Sequence, residues 1–393
     1  MREQPGMARS TGAPAPSDPP NRIARPGRWA MACAMLSAAI AFCGADAQPA
    51  PPSATPQPFR IERADPALDA LIAPDATLRT IASGFGFADG PVWVRGHGGV
   101  PGHLLVSSII GNVVYKVSPA GEVSVALDTA GYSGSDFAHD GKLASFARLH
   151  LILIGPNCTG IDHQGRLIWC AGQDRALKRL EPDGTRTVLA DKADGKRFNG
   201  PNDVAIAANG AIYFTDSDVG LRGGINGGLA QMPNAVWMWK DGKVTQVVSR
   251  DELGSEPNGI ALSPDDKYLY LSAGTMSATP KIMRYPVKAD GSVGPGTLFT
   301  QGPGIGDGMK TDAKGNLYST GPMPGIVRIT DPTGKLLGLL HMPTVGNREP
   351  TKLICASAMA FGGDDAKTLY ITACDDVYAI DLKSPGLLEG PAR

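Results

Sequence analysis

Residues 202–213 have the sequence Asn-Asp-Val-Ala-Ile-Ala-Ala-Asn-Gly-Ala-Ile-Tyr, and a stretch of the same design recurs along the chain. Each copy begins with a small polar residue and a short apolar run. A turn rich in Asp, Asn, Gly or Lys and a second apolar run ending in an aromatic residue follow. This order of strand and turn residues is typical of a β-hairpin. Clear copies occupy residues 157–169, 258–270 and 307–318, and weaker copies begin at residues 89 and 357.

The spacing of the six copies predicts the fold. Successive copies start 45 to 68 residues apart, and further short strands such as 112–117 and 326–329 lie between them. A period near 50 residues with four short strands per unit is typical of a propeller blade. We therefore predict an all-β fold, a six-bladed β-propeller over residues 75–383. Because inner strands line the central channel, the first residues of the copies are expected at one end of it: Asp89, Asn157, Asn202, Asn258, Asp307 and Ser357.

Composition agrees with this fold and excludes other classes. Gly (50) and Pro (33) make up about a fifth of the 393 residues, which disfavours a helical bundle. Lys and Arg (37) balance Asp and Glu (38), so no basic field exists for a nucleic acid or an anionic membrane. We expect a small-molecule ligand and a monomer or weak oligomer.

The N-terminal residues are typical of a secretory signal. Arg22, Arg25 and Arg28 precede an uncharged run, 29–44, and small residues stand at Ala45 and Ala47. The apolar run is shorter than the ~20 residues that a membrane span needs, so we expect no stable membrane anchor. The predicted boundaries are a signal peptide over 1–47, a Pro-rich linker over 48–74 and a C-terminal tail over 384–393. The mature protein is expected to be secreted or periplasmic.

Four cysteines remain after the predicted cleavage. Cys158 and Cys170 flank one hairpin turn, and Cys355 and Cys374 flank another. Each pair is predicted to form a disulfide in an oxidising compartment. Four buried, unpaired thiols are the alternative, since Cys packs well as a small hydrophobe. No C-x-x-C spacing supports a zinc site.

The ring of first residues also suggests a metal site. Short acids and amides at equivalent positions of different blades supply the hard oxygen ligands that Ca²⁺ accepts. The alternative is that each Asn or Asp serves its own turn by bonding its own backbone. Recurrence of these residues in four copies favours the shared site.

Several of these motifs together resemble the SMP-30/gluconolactonase family. The resemblance covers roughly residues 80–382 and rests on five stretches: Phe87-Ala-Asp-Gly-Pro-Val-Trp93, Arg197-Phe-Asn-Gly-Pro-Asn-Asp203, Glu256-Pro-Asn-Gly-Ile260, Asp307-Gly-Met-Lys310 and Ala360-Phe-Gly-Gly-Asp364. It implies a propeller that hydrolyses sugar lactones with one divalent metal, with Ca²⁺ favoured over Zn²⁺, Mn²⁺ or Mg²⁺. The metal ligands that it implies are Asp89, Asn202, Asn258 and Asp307.

The chain departs from the family pattern near the predicted pocket. Asp89 stands where most relatives carry Glu, and Gly200 replaces an Arg of vertebrate relatives. Residues 170–173, Cys-Ala-Gly-Gln, replace the Cys-Glu-His of many exported relatives. A hydrolase of phosphotriesters or other esters and a non-catalytic ligand-binding propeller therefore remain alternatives to the lactonase.

The predicted chemistry assigns roles to the residues around the ring. Asp307 is the predicted base that takes a proton from water, since its ring position and the resemblance agree. Asp203 is expected to orient Asn202 or to bind backbone. The predicted substrate contacts are Asn157, Asn199, Gln173 and Ser357. Residues 217–236 are a candidate lid, and residues 136–153 are a second candidate.

Overall fold

The computed structural model describes residues 57–134, 153–219, 221, 230–273, 279–321, 325–343 and 355–391. Strands dominate these residues, with helical turns at Pro66–Ala70 (3-10) and Arg250–Leu253 (α1). The strands of the first half are β1 (Arg60–Arg63), β2 (Arg79–Val94), β3 (His103–Ser108), β4 (Val113–Val117), β5 (Val123–Asp128), β6 (Pro156–Ile161), β7 (Leu167–Ala171), β8 (Ala176–Leu180), β9 (Arg186–Ala190), β10 (Lys192–Ala193), β11 (Lys196–Arg197), β12 (Pro201–Ile206) and β13 (Ile212–Asp216). Those of the second half are β14 (Ala235–Lys240), β15 (Lys243–Ser249), β16 (Pro257–Leu262), β17 (Tyr268–Ala273), β18 (Lys281–Pro286), β19 (Thr297–Gln301), β20 (Met309–Thr311), β21 (Leu317–Gly321), β22 (Ile326–Thr330), β23 (Leu336–His341), β24 (Ala358–Gly362) and β25 (Thr368–Asp381).

The second, third and fourth repeats each form a separate four-stranded antiparallel sheet. Their strand orders are β6-β7-β8-β9, β12-β13-β14-β15 and β16-β17-β18-β19, so each chain segment runs outward from its inner strand. The fifth repeat, β20 to β23, gains β1 as a fifth, outermost strand with Arg60 opposite His341. Strands β10 and β11 form a small hairpin between the second and third sheets.

The first and last repeats share one six-stranded sheet of order β24-β25-β2-β3-β4-β5. The long strand β2 is the reason. Its residues 79–83 pair with residues 376–379 of β25, and its residues 88–94 pair with β3. An N-terminal segment therefore completes the last repeat and closes the circle of sheets.

The predicted all-β propeller class is confirmed, with its six repeats arranged on five large sheets because β2 is continuous between two of them. Packing still follows the six repeats. In the described residues, six buried hydrophobic clusters lie one between each pair of consecutive repeats. Tyr318 of the fifth repeat, for example, packs edge-on against Phe361 of the sixth, with ring centroids 5.1 Å apart. Burial of these sheet faces is the main stabilising contribution to the fold.

Segments on both sides of the predicted propeller boundaries pack on the propeller, and the boundaries themselves stay a prediction. Leu68, Leu71 and Ile72, within the predicted linker, lie in the cluster between the fifth and sixth repeats. Leu388, within the predicted tail, packs against two of the clusters. The predicted signal peptide lies outside the described residues. None of the described helices is long and apolar enough to cross a membrane.

Both predicted disulfides are present. Cys158 bonds Cys170 across the β6–β7 hairpin with Cα atoms 5.1 Å apart. Cys355 bonds Cys374, whose Cα lies 5.6 Å away. Each bond closes a loop of 12 or 19 residues and therefore limits the freedom of the unfolded chain.

We expect replacement of both Cys158 and Cys170 by Ser to lower the free energy of unfolding by about 3 kcal/mol, as loop-closure entropy for this spacing suggests. Urea unfolding of the variant and the wild type, compared with and without dithiothreitol, measures the effect. Equal midpoints for the oxidised wild type and the variant would contradict the bond's contribution.

Candidate active site

Four of the six inner strands turn their first residues out of the regular ladder. β-Bulges lie between Asp89 and Val92, between Pro156 and Thr159, between Pro201 and Val204, and between Pro257 and Ile260. A bulge breaks the strand's alternation and re-aims the side chain at that point. The four ring positions Asp89, Asn157, Asn202 and Asn258 all lie within these bulges.

Hydroxyl groups on the neighbouring strands bond the backbone of this end of the inner strands. Thr215 Oγ1 accepts from the Asp203 amide at 3.0 Å, and Ser272 Oγ accepts from the Gly259 amide at 2.8 Å. Thr320 Oγ1 donates to the Gly308 carbonyl at 3.0 Å. Polar backbone groups that leave the ladder are satisfied in this way, so the bulges can persist in a buried setting.

The second repeat stabilises this end of its inner strand with a disulfide instead of a hydroxyl hydrogen bond. Cys170 occupies the position of Thr215 and Ser272 on its middle strand, and Cys158 occupies the position of Asp203 and Gly259 on its inner strand. The disulfide between them therefore ties the strand beside Asn157, where other repeats use a hydroxyl hydrogen bond.

The six first residues lie in a closed ring, because every junction between consecutive repeats carries a contact at this level. Ser107 Oγ donates to Asn157 O at 2.6 Å, Asn157 Nδ2 to Pro201 O at 3.5 Å, and the Ile260 amide to Asp203 Oδ2 at 3.0 Å. The Asn258 side chain hydrogen-bonds to the Asp307 carboxylate, the Gly308 amide donates to Ser357 O at 2.9 Å, and Ser357 Oγ donates to Ala88 O at 2.7 Å. The repeat starts therefore surround one axis.

Glycines permit this close approach of neighbouring inner strands. A Cβ atom on Gly259 would lie 1.9 Å from the carbonyl oxygen of Asp307, and one on Gly90 would lie 2.2 Å from that of Asn157. No side chain fits at either distance. The Gly after the ring residue in the motifs Asp89-Gly and Asn258-Gly is thus a requirement of the ring rather than of a turn.

Three carboxyl groups of the ring region repel one another. Burial, reinforced by the charge of Asp203, raises the pKa of Asp89 to about 7. Burial and the charges of Asp89 and Asp203 raise the pKa of Asp307 well above its ordinary value, and the Asn258 hydrogen bond partly opposes this. Asp89, Asp203 and Asp307 thus form an acid cluster in which a bound cation would be favourable.

Asp203 has the backbone role that its place after Asn202 predicts. Its Oδ1 accepts from the Val204 amide at 2.8 Å and its Oδ2 from the Ile260 amide at 3.0 Å, which joins the third and fourth repeats. Burial raises its pKa to about 6, and the charge of Lys310 opposes that rise. The sequence pattern gave no sign that this carboxylate interacts electrostatically with Asp89 and Asp307.

Three of the four predicted substrate contacts have buried side chains, and the substrate-binding role of the four residues stays a prediction. Ser357 is 0% exposed, and its hydroxyl donates to Ala88 O. Asn199 is also 0% exposed, and its Nδ2 donates to Met232 O and to Asn234 Oδ1. Gln173 is buried as well. Asn157 is half-buried and keeps surface for a ligand. The polarity of a residue and its position in the repeat did not distinguish side chains that face the channel from side chains that hydrogen-bond to neighbouring parts of the fold.

Asp216 organises the turn that leads into Asn202. Its carboxylate accepts from the amides of Asn199 at 2.9 Å and Gly200 at 2.8 Å. Burial raises its pKa to about 7, and these two hydrogen bonds oppose the rise. The turn that delivers Asn202 to the ring is therefore held by a buried acid at the end of the neighbouring strand β13.

Two charged residues that interact with Asp203 were not predicted as site residues. Lys310 of β20 follows Asp307 by three positions in the sequence, and its Nζ donates to Glu389 Oε1 at 2.7 Å. Lys310 stands in a quoted motif, but Glu389 lies in the predicted tail and carried no sequence signal. Much of both predicted lids, 220, 222–229 and 135–152, lies outside the described residues.

Among the residues that the structure describes, no three Asp, Glu, His or Cys side chains are grouped as a metal site. The predicted ligand set has only two carboxylates, and its other two members are amides, so it is not a group of three Asp, Glu, His or Cys side chains. The metal site stays a prediction at this point.

Residues 87–375 match the family described as SMP-30/Gluconolactonase/LRE-like region. The chain belongs to this family. A gluconolactonase of Zymomonas mobilis is 32% identical over 346 residues, which are 83% of this chain and 87% of the relative. A 6-deoxy-6-sulfogluconolactonase of Pseudomonas putida is 37% identical over 134 residues, covering 33% of this chain and 40% of the relative.

Solved structures of other proteins have the same fold. A gluconolactonase from Xanthomonas campestris superposes with a TM-score of 0.65 at 27% identity, covering 84% of this chain and 99% of that chain. A calcium-binding protein, regucalcin, from Agrobacterium tumefaciens has a TM-score of 0.58 at 18% identity, covering 81% of this chain and 98% of its own. The family predicted from the sequence motifs is confirmed.

Proposed function

We propose that this protein hydrolyses sugar lactones at the ring, with one divalent cation held by Asp89, Asn202, Asn258 and Asp307. The observation that carries the proposal is the closed ring with its acid cluster on the inner strands. The names of the family relatives, gluconolactonase and 6-deoxy-6-sulfogluconolactonase, support a lactone as the substrate class.

The donor set fits a hard cation. Two carboxylates and two amides supply oxygen ligands of the kind that Ca²⁺ binds, and Zn²⁺, Mn²⁺ and Mg²⁺ are the alternatives. Without a cation, burial and mutual repulsion raise the pKa values of Asp89 and Asp307. A bound divalent cation would polarise the lactone carbonyl and stabilise the oxyanion that develops when water attacks.

The chain's own residues supply positioning and proton transfer. Asp307 is the base that accepts a proton from the attacking water, since it lies in the ring and the Asn258 side chain orients its carboxylate. Asp203 keeps the inner strands of the third and fourth repeats in register through the Ile260 amide. Asn157 offers a polar group to the hydroxyls of a sugar substrate.

We also propose that the protein is exported and cleaved after Ala47. The basic, apolar and small-residue segments of 1–47 carry this proposal, and two disulfides suit an oxidising compartment. N-terminal sequencing of protein recovered from the periplasm or the medium tests it. A mature chain beginning before residue 30 would contradict the cleavage site.

We expect exhaustive treatment with EDTA to reduce the rate of glucono-δ-lactone hydrolysis by at least about 100-fold, because the divalent cation that would polarise the lactone carbonyl is removed. Addition of Ca²⁺, Zn²⁺, Mn²⁺ or Mg²⁺ to the stripped protein should restore turnover and rank the metals. A pH-indicator assay follows acid release.

The same assay run on aryl esters and phosphotriesters defines the substrate class. Faster turnover of either group than of any aldonolactone would overturn the lactone assignment. Unchanged activity after metal removal would overturn the role of the cation, and binding without turnover would identify a ligand-binding propeller.

A further inference from the structure

The far end of the channel is crossed by residues 384–391, the closing segment. In the fifth and sixth repeats, Gly386 bridges Asp312, and its amide donates to Ala366 O at 2.9 Å. Arg95 of the first repeat donates to Leu388 O at 3.1 Å. These partners lie near the turns at the far ends of the inner strands, so the segment spans the face opposite to the ring.

One side chain of the closing segment reaches the inner strands. Glu389 Oε2 accepts from the Ile161 amide of the second repeat at 3.0 Å, and its Oε1 accepts from Lys310 Nζ of the fifth repeat at 2.7 Å. The side chains of Lys310 and Glu389 are 20% and 25% exposed. A partly buried ion pair thus links inner strands that are not neighbours.

The position of Lys310 is exceptional within the repeats. Lys310 lies three positions after the ring residue Asp307 and pairs with Tyr318 of the next strand. The equivalent residue of each other repeat lies three positions after its own ring residue. In the other five repeats this position holds small or apolar residues, which are Val92, Gly160, Ala205, Ala261 and Ala360. Gly160 leaves the space that Glu389 uses, because a Cβ there would lie 3.0 Å from Glu389 Oε2. The channel therefore accommodates one ion pair below the ring.

The ion pair lies close to the acid cluster. Lys310 follows the ring residue Asp307 by three positions, so the Cα atoms of the two residues lie within about 11 Å of each other. Lys310 and Glu389 are also close enough to the Asp203 carboxylate to interact with it by charge, Lys310 attractively and Glu389 repulsively. Both members of the pair thus contribute to the electrostatic potential at the ring, with opposite signs.

We propose that Lys310 and Glu389 are positioning residues of the site: the closing segment supplies Glu389 as the counter-ion of Lys310, and the balanced pair sets the affinity of the ring for its cation. This inference rests on the proposed function, because it takes the ring to be the cation site. The inference gives the closing segment, residues 384–391, a role in cation binding.

The test is a double-mutant cycle read by Ca²⁺ titration calorimetry on the metal-stripped protein. Glu389→Gln leaves Lys310 less neutralised, so Ca²⁺ binding should weaken by about tenfold. Lys310→Met leaves Glu389 uncompensated, so binding should tighten by a similar factor. The double variant should return to within about threefold of the wild type. A purely structural pair would shift both single variants in the same direction.

Matched controls separate charge effects from folding. Asp381→Asn removes the exposed ion pair with Arg79, whose atoms lie 2.7 Å apart, and should leave Ca²⁺ affinity unchanged. Glu389→Asp keeps the charge and should bind Ca²⁺ more tightly than Glu389→Gln, even where both lose some thermal stability. The inference would be overturned if Glu389→Asp and Glu389→Gln bound Ca²⁺ with equal affinity, or if Glu389→Gln and Lys310→Met changed the Ca²⁺ affinity in the same direction. Either result would leave the proposed function intact as long as the wild type binds Ca²⁺ and hydrolyses the lactone. Absence of both Ca²⁺ binding and lactone turnover in the wild type would overturn the proposed function itself.

Discussion

Asp307→Asn is expected to lower kcat for lactone hydrolysis by about 100-fold or more at saturating metal, because an amide cannot accept the proton of the attacking water. The replacement keeps the size of the side chain and one oxygen, so the ring should retain its shape. Loss of one negative charge should also weaken Ca²⁺ binding. Steady-state kinetics over a range of Ca²⁺ concentrations separates the loss of turnover from the loss of metal.

Asp365→Asn is the matched control for this experiment. Asp365 is an exposed acid in the hairpin turn of the sixth repeat, where Oδ1 accepts from the Lys367 amide at 3.1 Å. Asn supplies the same acceptor, so activity and stability should stay near those of the wild type. Near-normal kcat in Asp307→Asn at saturating Ca²⁺ would show that another group takes the proton. Asp203 would then be the acid to replace next.

The repeat pattern was sufficient to predict the propeller because each hairpin is a local feature. Turn residues and strand residues lie within about a dozen positions of one another, as in 202–213. The sharing of β2 between two repeats was not predictable in this way. Its residues 79–83 find their partners at 376–379, almost 300 positions away, and no local signal marks that pairing.

The ring was predictable for a similar reason, since equivalent positions in repeats meet around one axis. Side-chain direction was not. Asn199 and Ser357 have the polar character of ligand contacts, yet their hydrogen bonds brace the inner strands. Glu389 shows the opposite case, because a single acid outside the repeats has no periodicity to reveal that it meets Lys310.

Gly259→Ala is expected to lower the free energy of unfolding by about 3 kcal/mol and to abolish most activity. The new methyl carbon would lie 1.9 Å from the Asp307 carbonyl oxygen and 2.8 Å from its carbonyl carbon, and both are backbone atoms that cannot rotate away. The inner strands of the fourth and fifth repeats must therefore separate. That separation moves Asn258 and Asp307, two of the four proposed ligands, and a displacement near 1 Å can cost about 100-fold in rate.

Gly172→Ala distinguishes this mechanism from a general intolerance of glycine replacement in this part of the fold. The nearest atoms to a Cβ on Gly172 are Gly155 O at 3.4 Å and Asn157 Nδ2 at 3.8 Å, which are ordinary van der Waals distances. We expect its urea midpoint and kcat to stay close to those of the wild type. Wild-type stability together with wild-type kcat in Gly259→Ala would mean that the two strands do not approach as closely as the ring requires. A stable but inactive Gly259→Ala protein would instead locate the effect in the ring geometry alone, because the sheets would have absorbed the methyl group while the ligands had moved.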